Sequence, residues 1–304
     1  MMNLRIKLQE LIAEYYASLD YRSLSKASQY DYKYCINTLL ATTVRGKAVS
    51  KMYLKSMDSP RAQACYNGWA ERGVPFANHT HAVTSKLYNF GIQLGYTEVN
   101  PFSKVSKRVH KARKVVWTRE HINLFLDTAY GRFRWRSVGL IVQMAYEWCQ
   151  RLGDMSNLTW DMYDAEARVL YLEQSKRRAK VELPTTDALH EMLMQQKGDV
   201  DFQPYVAPRC LERKIVAQPY RKQTLSVIAR EIIKAAGLPD ELQIMDMRRT
   251  GITEMVDAGV GFAQIQSVSG HANPQSMKPY MKHTLTSARM ASSMREAARM
   301  QEKI

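Results

Sequence analysis

The sequence has few cysteines and no segment of the kind that spans a membrane. Its four cysteines, at positions 35, 65, 149 and 210, are far apart and form no CxxC pair. This pattern excludes a disulfide framework and a cysteine zinc site, and it indicates reduced thiols in the cytoplasm. No apolar run approaches the ~20 residues that a transmembrane helix needs, and we identify no signal peptide.

Acidic residues are also scarce relative to basic ones. The 304-residue chain carries 44 Lys and Arg against 29 Asp and Glu, a formal net charge of +15. Such a surplus points to nucleic acid, or less often to an anionic membrane surface, although a charge kept for solubility is the alternative. Because the basic residues cluster instead of spreading evenly, we favour nucleic acid.

Histidines give no sign of a metal centre. His79 and His81 lie two residues apart, without a cysteine or an acidic residue near them in the sequence. We therefore expect no metal site there, and we expect the protein to work without a cofactor.

The first hundred residues are predicted to form a helical domain, residues 1–102. Apolar residues at helical spacing predict an amphipathic helix from the N-terminus onward: Leu4, Leu8, Leu11, Ile12 and Tyr15. Ser25 is a good N-cap for a second helix, and a longer helix is expected from near Asn78 to Gly95. The Asn100-Pro101 step then ends the unit, because the residue before proline avoids helical geometry.

A basic linker is predicted at residues 103–117. It contains SKVSKRVHKARK, which has no acidic residue. The segment is either an ordinary solvated linker or one that lies on DNA phosphates, where bound cations release condensed counterions. In the second case its contacts come from Lys104, Lys107, Arg108, Lys111, Arg113 and Lys114.

The second domain is predicted at residues 118–304, with Thr118 as the N-cap of its first helix. Short β-rich runs flank SKRRA, so residues 168–184 should form a hairpin with a basic tip that includes Lys176, Arg177 and Arg178. Further helices are expected at 138–150, 186–196, 223–236 and about 246–258.

Five polar residues of this domain have both ordinary and functional interpretations. Alone, Arg151 is a helix C-terminal cation stabilised by the macrodipole, Lys176 a solvated turn residue and Arg248 a surface helix charge. His271 is a helix N-terminal residue and Tyr280 a core aromatic on the same view.

Taken together, however, their order resembles the tyrosine recombinase (phage integrase) family over almost the whole chain. The first box is WCQRLGDMSNLTWDMYD, with Arg151 and Asp154 in register, and the hairpin box is LYLEQSKRRAKVELPTT. The second box, usually His-x-x-Arg-His-Thr, reads MDMRRT with Arg248, and the third is Gly-His271 followed nine residues later by Tyr280. The N-terminal half is similar to the core-binding domain of the family from nearly residue 1, so its arm-binding domain is expected to be absent.

The resemblance implies a role for each residue. Tyr280 is the nucleophile on a DNA phosphodiester, His271 donates a hydrogen bond to that phosphate, and Asp154 has a supporting role. Arg151 and Arg248 bind the phosphate, for which planar guanidinium groups are suited. Lys176 protonates the departing 5′-oxygen as general acid.

One position departs from the family pattern. Met245 stands where the second box usually has histidine, three residues before Arg248. A thioether donates no hydrogen bond to a phosphate, so Arg249 and Gln243 are the alternatives for that donor.

The resemblance implies a mainly α protein with a small β-hairpin, in which a helical core-binding domain and an α+β catalytic domain form a C-shaped clamp around DNA. Its function would be site-specific recombination at core-type sites of a phage or other mobile element, in the cytoplasm of a bacterial host and associated with its nucleoid. An accessory DNA-bending or directionality factor is a possible further partner. The alternatives are a chromosome-dimer resolvase or inversion recombinase with the same chemistry, and a regulator that binds DNA without cutting it.

The C-terminal segment 285–304 is predicted to be a helix. Its narrow apolar face consists of Met290, Met294, Ala297 and Gln301. This face either folds back on its own domain or joins protomers. The family resemblance implies the second, with the helix passed to a neighbour in a tetramer on DNA.

Overall fold

The computed structural model describes residues 6–111, 113–176, 178–200, 202–271, 273, 275, 280 and 285–301. For residues 285–287, 290, 298 and 301 it describes the backbone alone. The chain divides into two compact units, Met1–Arg113 and Lys114–Ile304, and the division falls inside residues 103–117.

The first unit is mainly helical with one very short hairpin. Its elements in chain order are α1 (Leu8–Ala17), α2 (Leu19–Arg22), α3 (Lys26–Ala41), β1 (Thr43–Val44), β2 (Lys47–Ala48), α4 (Ser59–Glu71) and α5 (Val74–Gln93). Their apolar faces enclose a single core cluster that includes Leu11, Ile36, Leu39, Tyr66 and Leu87.

Local capping explains where these helices begin. Ser25 caps α3 as predicted, since its side chain accepts a hydrogen bond from the Ser28 amide. The N-terminal prediction is wrong in its start, because Lys7 is extended and forms a β-bridge with Tyr53. The prediction for α5 starts four residues too late. Gly73 at φ +127° reverses the chain, and Pro75 opens the first turn.

The first half of the basic segment packs on the first unit. Phe102 and Val105 are buried in its core. The Tyr66 hydroxyl accepts a hydrogen bond from the Arg108 amide at 2.7 Å, and the Arg108 carbonyl accepts one from Asn78 Nδ2 at 3.2 Å. The backbone is thus held while most of the basic side chains stay exposed, namely Lys104, Lys107, Arg108, Lys111 and Lys114; Arg113 is half-buried.

The second unit is built from helices and small antiparallel sheets. Its elements are α6 (Arg119–Tyr130), α7 (Phe133–Glu147), α8 (Leu152–Ser156), β3 (Tyr163–Asp164), β4 (Val169–Glu173), β5 (Lys180–Pro184), α9 (Asp187–Val200), β6 (Arg209–Cys210), β7 (Ile215–Val216), α10 (Lys222–Ala235), α11 (Met247–Asp257), α12 (Phe262–Ser269) and α13 (Leu285–Gln301). Thr118 caps α6 as predicted, in a capping box with His121.

Helix α7 is the centre of the second unit. Residues 137–146 are all buried, because α6, α9, α10, α11 and β6 contact it on several sides. Gly251 lets α11 approach most closely, since a Cβ there would lie 2.6 Å from the Tyr146 carbonyl oxygen and 2.5 Å from Cys149 Sγ. This contact brings the start of α11 next to the end of α7.

The predicted hairpin is confirmed, and β3 adds a third strand to it. The strands β4 and β5 pair antiparallel, with Leu170 opposite Leu183 and Leu172 opposite Val181. These four residues are buried, whereas the alternate positions are exposed or half-buried. The sheet therefore rests on the core by one face.

The described side chains of α13 are exposed. They include Arg289, Met294, Arg295, Ala297 and Arg299. The side chains of Met290 and Gln301, the other half of the predicted apolar face, lie outside the described residues. The described half of this face, Met294 and Ala297, is exposed to solvent.

Candidate active site

A turn after α7 presents Arg151. The helix ends at Glu147, and Cys149 takes a left-handed conformation with φ +52°, which is uncommon for a residue other than glycine. Arg151 is then the N-cap residue of α8. The interpretation of Arg151 as a helix C-terminal cation is therefore wrong, because the chain has already turned out of α7 before it.

Arg248 lies in the first turn of α11, as predicted, and faces the C-terminus of α12. Its Nη2 donates to the Ser269 carbonyl oxygen at 2.7 Å. Burial, and after it the charge of Arg151, lower the pKa of Arg248 to about 10. The two guanidinium groups thus form a concentrated positive charge in a half-buried position.

His271 follows directly after the end of α12. Gly270 ends α12 in the left-handed conformation with φ +64°, which suits glycine at this position. His271 is buried; its Nδ1 lies 2.7 Å from Ser269 Oγ, and its Nε2 lies 3.3 Å from Arg248 Nη2. His271 of the third box therefore directly contacts Arg248 of the second box.

Tyr280 lies beside this histidine. The ring centroids of the two residues are 6.1 Å apart, and the Arg249 guanidinium carbon is 5.5 Å from the tyrosine ring centroid. The ring is half-buried against a small cluster formed by Cys149, Ile252 and Ile265. The fold thus brings together Arg151, Arg248, His271 and Tyr280. Nothing in the interpretation of these residues as separate helix-end, surface or core residues predicts this.

The hairpin tip is attached to the same place through Asp154. This carboxylate is buried, accepts a hydrogen bond from the Ser175 amide at 3.2 Å, and lies 3.8 Å from Arg151 Nη1. Lys176 itself is exposed on the tip. Arg178 pairs with Glu173, and Arg177 lies outside the described residues.

Two glutamines that sequence analysis missed complete the site. Gln150 and Gln174 are fully buried, and their amides lie 2.7 Å apart. Gln174 Oε1 accepts from Arg151 Nη1 at 2.8 Å, while Gln150 Oε1 lies 3.5 Å from Arg248 Nη1. Their positions were a signal, since Gln150 directly precedes Arg151 and Gln174 lies within EQSK. The spacing of polar residues in a sequence, however, does not show which of them become buried.

The matched family model decides what this cluster belongs to. The model described as "Phage integrase family" matches residues 118–286, more than half of the chain and all of the elements that supply the site. The chain belongs to the phage integrase family. It is accordingly a tyrosine site-specific recombinase, an enzyme of DNA recombination.

Solved structures agree with the family assignment at the level of the fold. A lambda integrase dimer bound to a COC′ core site has a TM-score of 0.75 and 20% identity, over 91% of this chain and 78% of that one. The Tn1549 transposon integrase in complex with a circular intermediate DNA has a TM-score of 0.77 and 16% identity, over 95% and 99%. A lambda integrase tetramer bound to a Holliday junction has a TM-score of 0.76 and 18% identity, over 92% and 79%. No curated protein sequence matches the chain.

In this phage integrase family member, Met245 occupies the position of the second box where the family pattern usually has histidine. The Met245 side chain is 57% exposed in a 3-10 turn before α11. Of the two alternative donors, Arg249 places its guanidinium carbon 5.5 Å from the Tyr280 ring centroid. Gln243 is half-buried, and its backbone carbonyl accepts a hydrogen bond from Trp117 Nε1 at 3.2 Å, which leaves its side-chain amide uncommitted by that bond.

The first unit of the integrase contains a side-chain contact between α3 and α5 that the sequence did not reveal. His79 Nε2 contacts Asp31 Oδ2 at 2.5 Å, and Cys35 lies in the same group, with all three ligand atoms within 4.8 Å of one another. Neither residue is near His79 in the sequence, because both come from α3, far along the chain. The expectation that this position holds no metal stays a prediction.

No helix among the described residues is long and apolar enough to cross a membrane.

Proposed function

We propose that this integrase cuts and rejoins duplex DNA at specific sites through a covalent 3′-phosphotyrosyl link to Tyr280. The observation that carries the proposal is the convergence of Arg151, Arg248, His271 and Tyr280 from three separate segments. Integration or excision of a phage or other mobile element is the biological outcome that we propose, in the bacterial cytoplasm at the nucleoid.

The positive charge of the site suits a phosphodiester. Attack adds negative charge to the non-bridging oxygens, and fixed cationic donors stabilise that charge most where water is excluded. The guanidinium of Arg248 is half-buried and close enough to Arg151 to have its pKa lowered to about 10. A bound phosphate would relieve this repulsion, so the site favours the anion that the reaction requires.

In the proposed step, the Tyr280 oxygen attacks phosphorus while His271 and both arginines hold the non-bridging oxygens. The new bond from phosphorus to the tyrosine oxygen replaces the bond to the 5′-oxygen, and the tyrosine proton passes to solvent. Lys176 gives its proton to the departing 5′-oxygen, which leaves as a hydroxyl. Attack by a 5′-hydroxyl on the link reverses the step and joins the strands, so neither ATP nor a metal ion is consumed.

The remaining parts of the chain serve DNA binding in this proposal. Residues 1–102 and 118–304 act as a core-binding and a catalytic domain that clamp duplex DNA. Residues 103–117 lie on phosphates, where their exposed cations release counterions. Arg177 and Arg178 at the hairpin tip add contacts to the backbone of the substrate.

Assembly on DNA is proposed to involve α13. Its described side chains, among them Met294 at 62% exposure, do not pack on their own unit. Docking on a neighbouring protomer would cover them in a tetramer on two core-type sites, with an accessory DNA-bending or directionality factor as a further partner.

A suicide DNA substrate tests the proposal and separates its rivals. Wild-type protein should form a covalent adduct on a nicked site, whereas Tyr280→Phe should form none and should keep nearly the same DNA affinity, because binding depends on many phosphate contacts. A protein that binds the site but leaves no adduct would be a regulator that does not cut. Resolution of a two-site plasmid, compared with integration between two molecules, distinguishes a resolvase from an integrase.

A further inference from the structure

The buried glutamines Gln150 and Gln174 join three elements behind the arginines. Gln150 follows α7, Gln174 directly follows β4, and both contact the last carbonyls of α12. Gln174 Nε2 donates to Gln150 Oε1 at 2.7 Å and to the Ser269 carbonyl at 2.9 Å. Gln150 Nε2 donates to the carbonyls of Trp148 and Val268 at 2.8 and 2.7 Å.

Each amide has one possible orientation. A guanidinium group only donates hydrogen bonds, so the amide atom that faces Arg151 or Arg248 must be oxygen. All four amide N–H donors then meet an acceptor, and reversing either amide would set N–H against guanidinium and turn the amide oxygen toward other acceptors. The network is therefore fully satisfied in a single arrangement, which fixes the direction of the groups attached to it.

The network is also uncharged. A carboxylate would orient an arginine equally well, but it would neutralise the charge that a phosphate needs. Here the acceptors of the arginines are Gln174 Oε1, Gln150 Oε1 and the Ser269 carbonyl. One carboxylate is also near: Asp154 Oδ2 forms an ion pair with Arg151 Nη1 at 3.8 Å, longer than a hydrogen bond, while Asp154 Oδ1 accepts from the Ser175 amide. The direct hydrogen bonds that orient the arginines therefore come from neutral groups.

The fit around Gln174 is close. Gly270 lies against it, and a Cβ at that glycine would stand 2.7 Å from Gln174 Nε2. Because Gln174 lies two residues before Lys176, the same side chain ties the base of the hairpin tip to Arg151 and to Ser269, two residues before His271.

We propose that Gln150 and Gln174 are positioning residues that orient Arg151 and Arg248 toward the scissile phosphate without neutralising them. Gln174 further makes this orientation depend on the placement of the hairpin that carries the general acid. The inference rests on the proposed function, since it concerns the phosphate that the two arginines would hold.

The test compares Gln174→Leu and Gln150→Leu with Gln196→Leu as the matched control. Gln196 is equally a buried glutamine of this unit, but its amide contacts Ser137 on α7 instead of an arginine. All three variants lose a buried amide, but Gln196 gives up only a 3.5 Å contact, so the first two should lose more thermal stability and the rates are compared at a temperature where all three are folded. The first two should also slow adduct formation by roughly 10- to 100-fold, the scale on which misplaced catalytic groups reduce rates, while the control keeps the wild-type rate.

The variant Gln174→Glu adds a second measurement, the pH dependence of the cleavage rate, which a purely structural role of Gln174 would leave unchanged. Its ionised carboxylate would pair with Arg151, whereas its protonated form restores a donor to Gln150. The rate relative to wild type should therefore be lowest near neutral pH and recover as the pH falls toward the carboxyl pKa of about 4.3. Arg151 contacts this position directly, Arg248 contacts its partners Gln150 and Ser269, and Asp154 and His271 contact the two arginines. Reporting the rate relative to wild type at each pH accounts for the titration that both proteins share.

The result that overturns the inference is a glutamine variant that cuts as fast as Gln196→Leu, or a rate ratio for Gln174→Glu that does not change with pH. This failure differs from failure of the proposed function, in which wild-type protein itself forms no adduct. Guanidinium NMR signals of Arg151 and Arg248 give a readout without cleavage: they should broaden or shift in Gln174→Leu and stay unchanged in Gln196→Leu.

Discussion

At the scale of single residues, the site contains two residues, Arg248 and Cys149, whose charge or conformation lowers the stability of the folded protein. Arg248 is half-buried next to another arginine, and its pKa is lowered to about 10, so below that pH the folded state bears the free energy of an unfavourable charge. Cys149 occupies a left-handed conformation that disfavours non-glycine residues. Such strain is typical of functional sites, because a bound ligand relieves it.

Arg248→Met should therefore separate stability from activity. Removal of the buried charge should leave the melting temperature unchanged or higher, since apolar replacements of buried charges are often neutral or stabilising. Adduct formation should fall by a factor of about a hundred or more, because a donor to the transition state is lost. Thermal melts and adduct rates measured on the same preparation check this, and a large loss of stability would contradict the account of the charge.

Lys176 has a chemical test of its own. Lys176→Ala should slow cleavage of normal DNA, and a 5′-bridging phosphorothioate should restore the rate, since a sulfur leaving group needs no proton. Arg151→Ala serves as the control, because its defect lies in charge stabilisation and the sulfur substrate should leave it slow. Rescue of Arg151→Ala with Lys176→Ala still slow would refute the assignment of the acid.

At the scale of elements, capping and periodicity were the reliable guides. Ser25 and Thr118 begin helices as predicted, and the hairpin of β4 and β5 lies where β-rich runs flank SKRRA. The first residue of α5 was missed, because this helix starts after a backbone reversal at Gly73 and not after a capping side chain. The glutamine network could not be predicted either, because contacts between Gln150, Gln174 and Ser269 exist only after three distant segments pack together.

The basic segment after α5 is the element whose role in binding is easiest to measure. Its backbone is fixed at Arg108, but its cations remain largely exposed for contact with phosphates. Neutralising Lys107, Arg108, Lys111, Arg113 and Lys114 should weaken DNA binding and flatten its dependence on salt concentration, because fewer counterions are released. An unchanged slope in binding titrations would show an ordinary solvated linker.

At the scale of the whole molecule, α13 is proposed to act between protomers. Deletion of residues 286–304 should spare binding to a single site and remove synapsis and strand exchange, since the described side chains of α13 do not support their own unit. Gel shifts on two-site DNA and light scattering measure this directly. A truncated protein that still forms the complex of four protomers would contradict the role of α13.

The central claim, that Tyr280 is the residue joined to DNA, is tested most directly by mass spectrometry of the adduct from a suicide substrate. After protease and nuclease digestion, the account predicts a nucleotide attached through its 3′-phosphate to the peptide that contains Tyr280, and a free 5′-hydroxyl on the released strand. Attachment at Tyr205 or Tyr220, or a link through a 5′-phosphate, would contradict it.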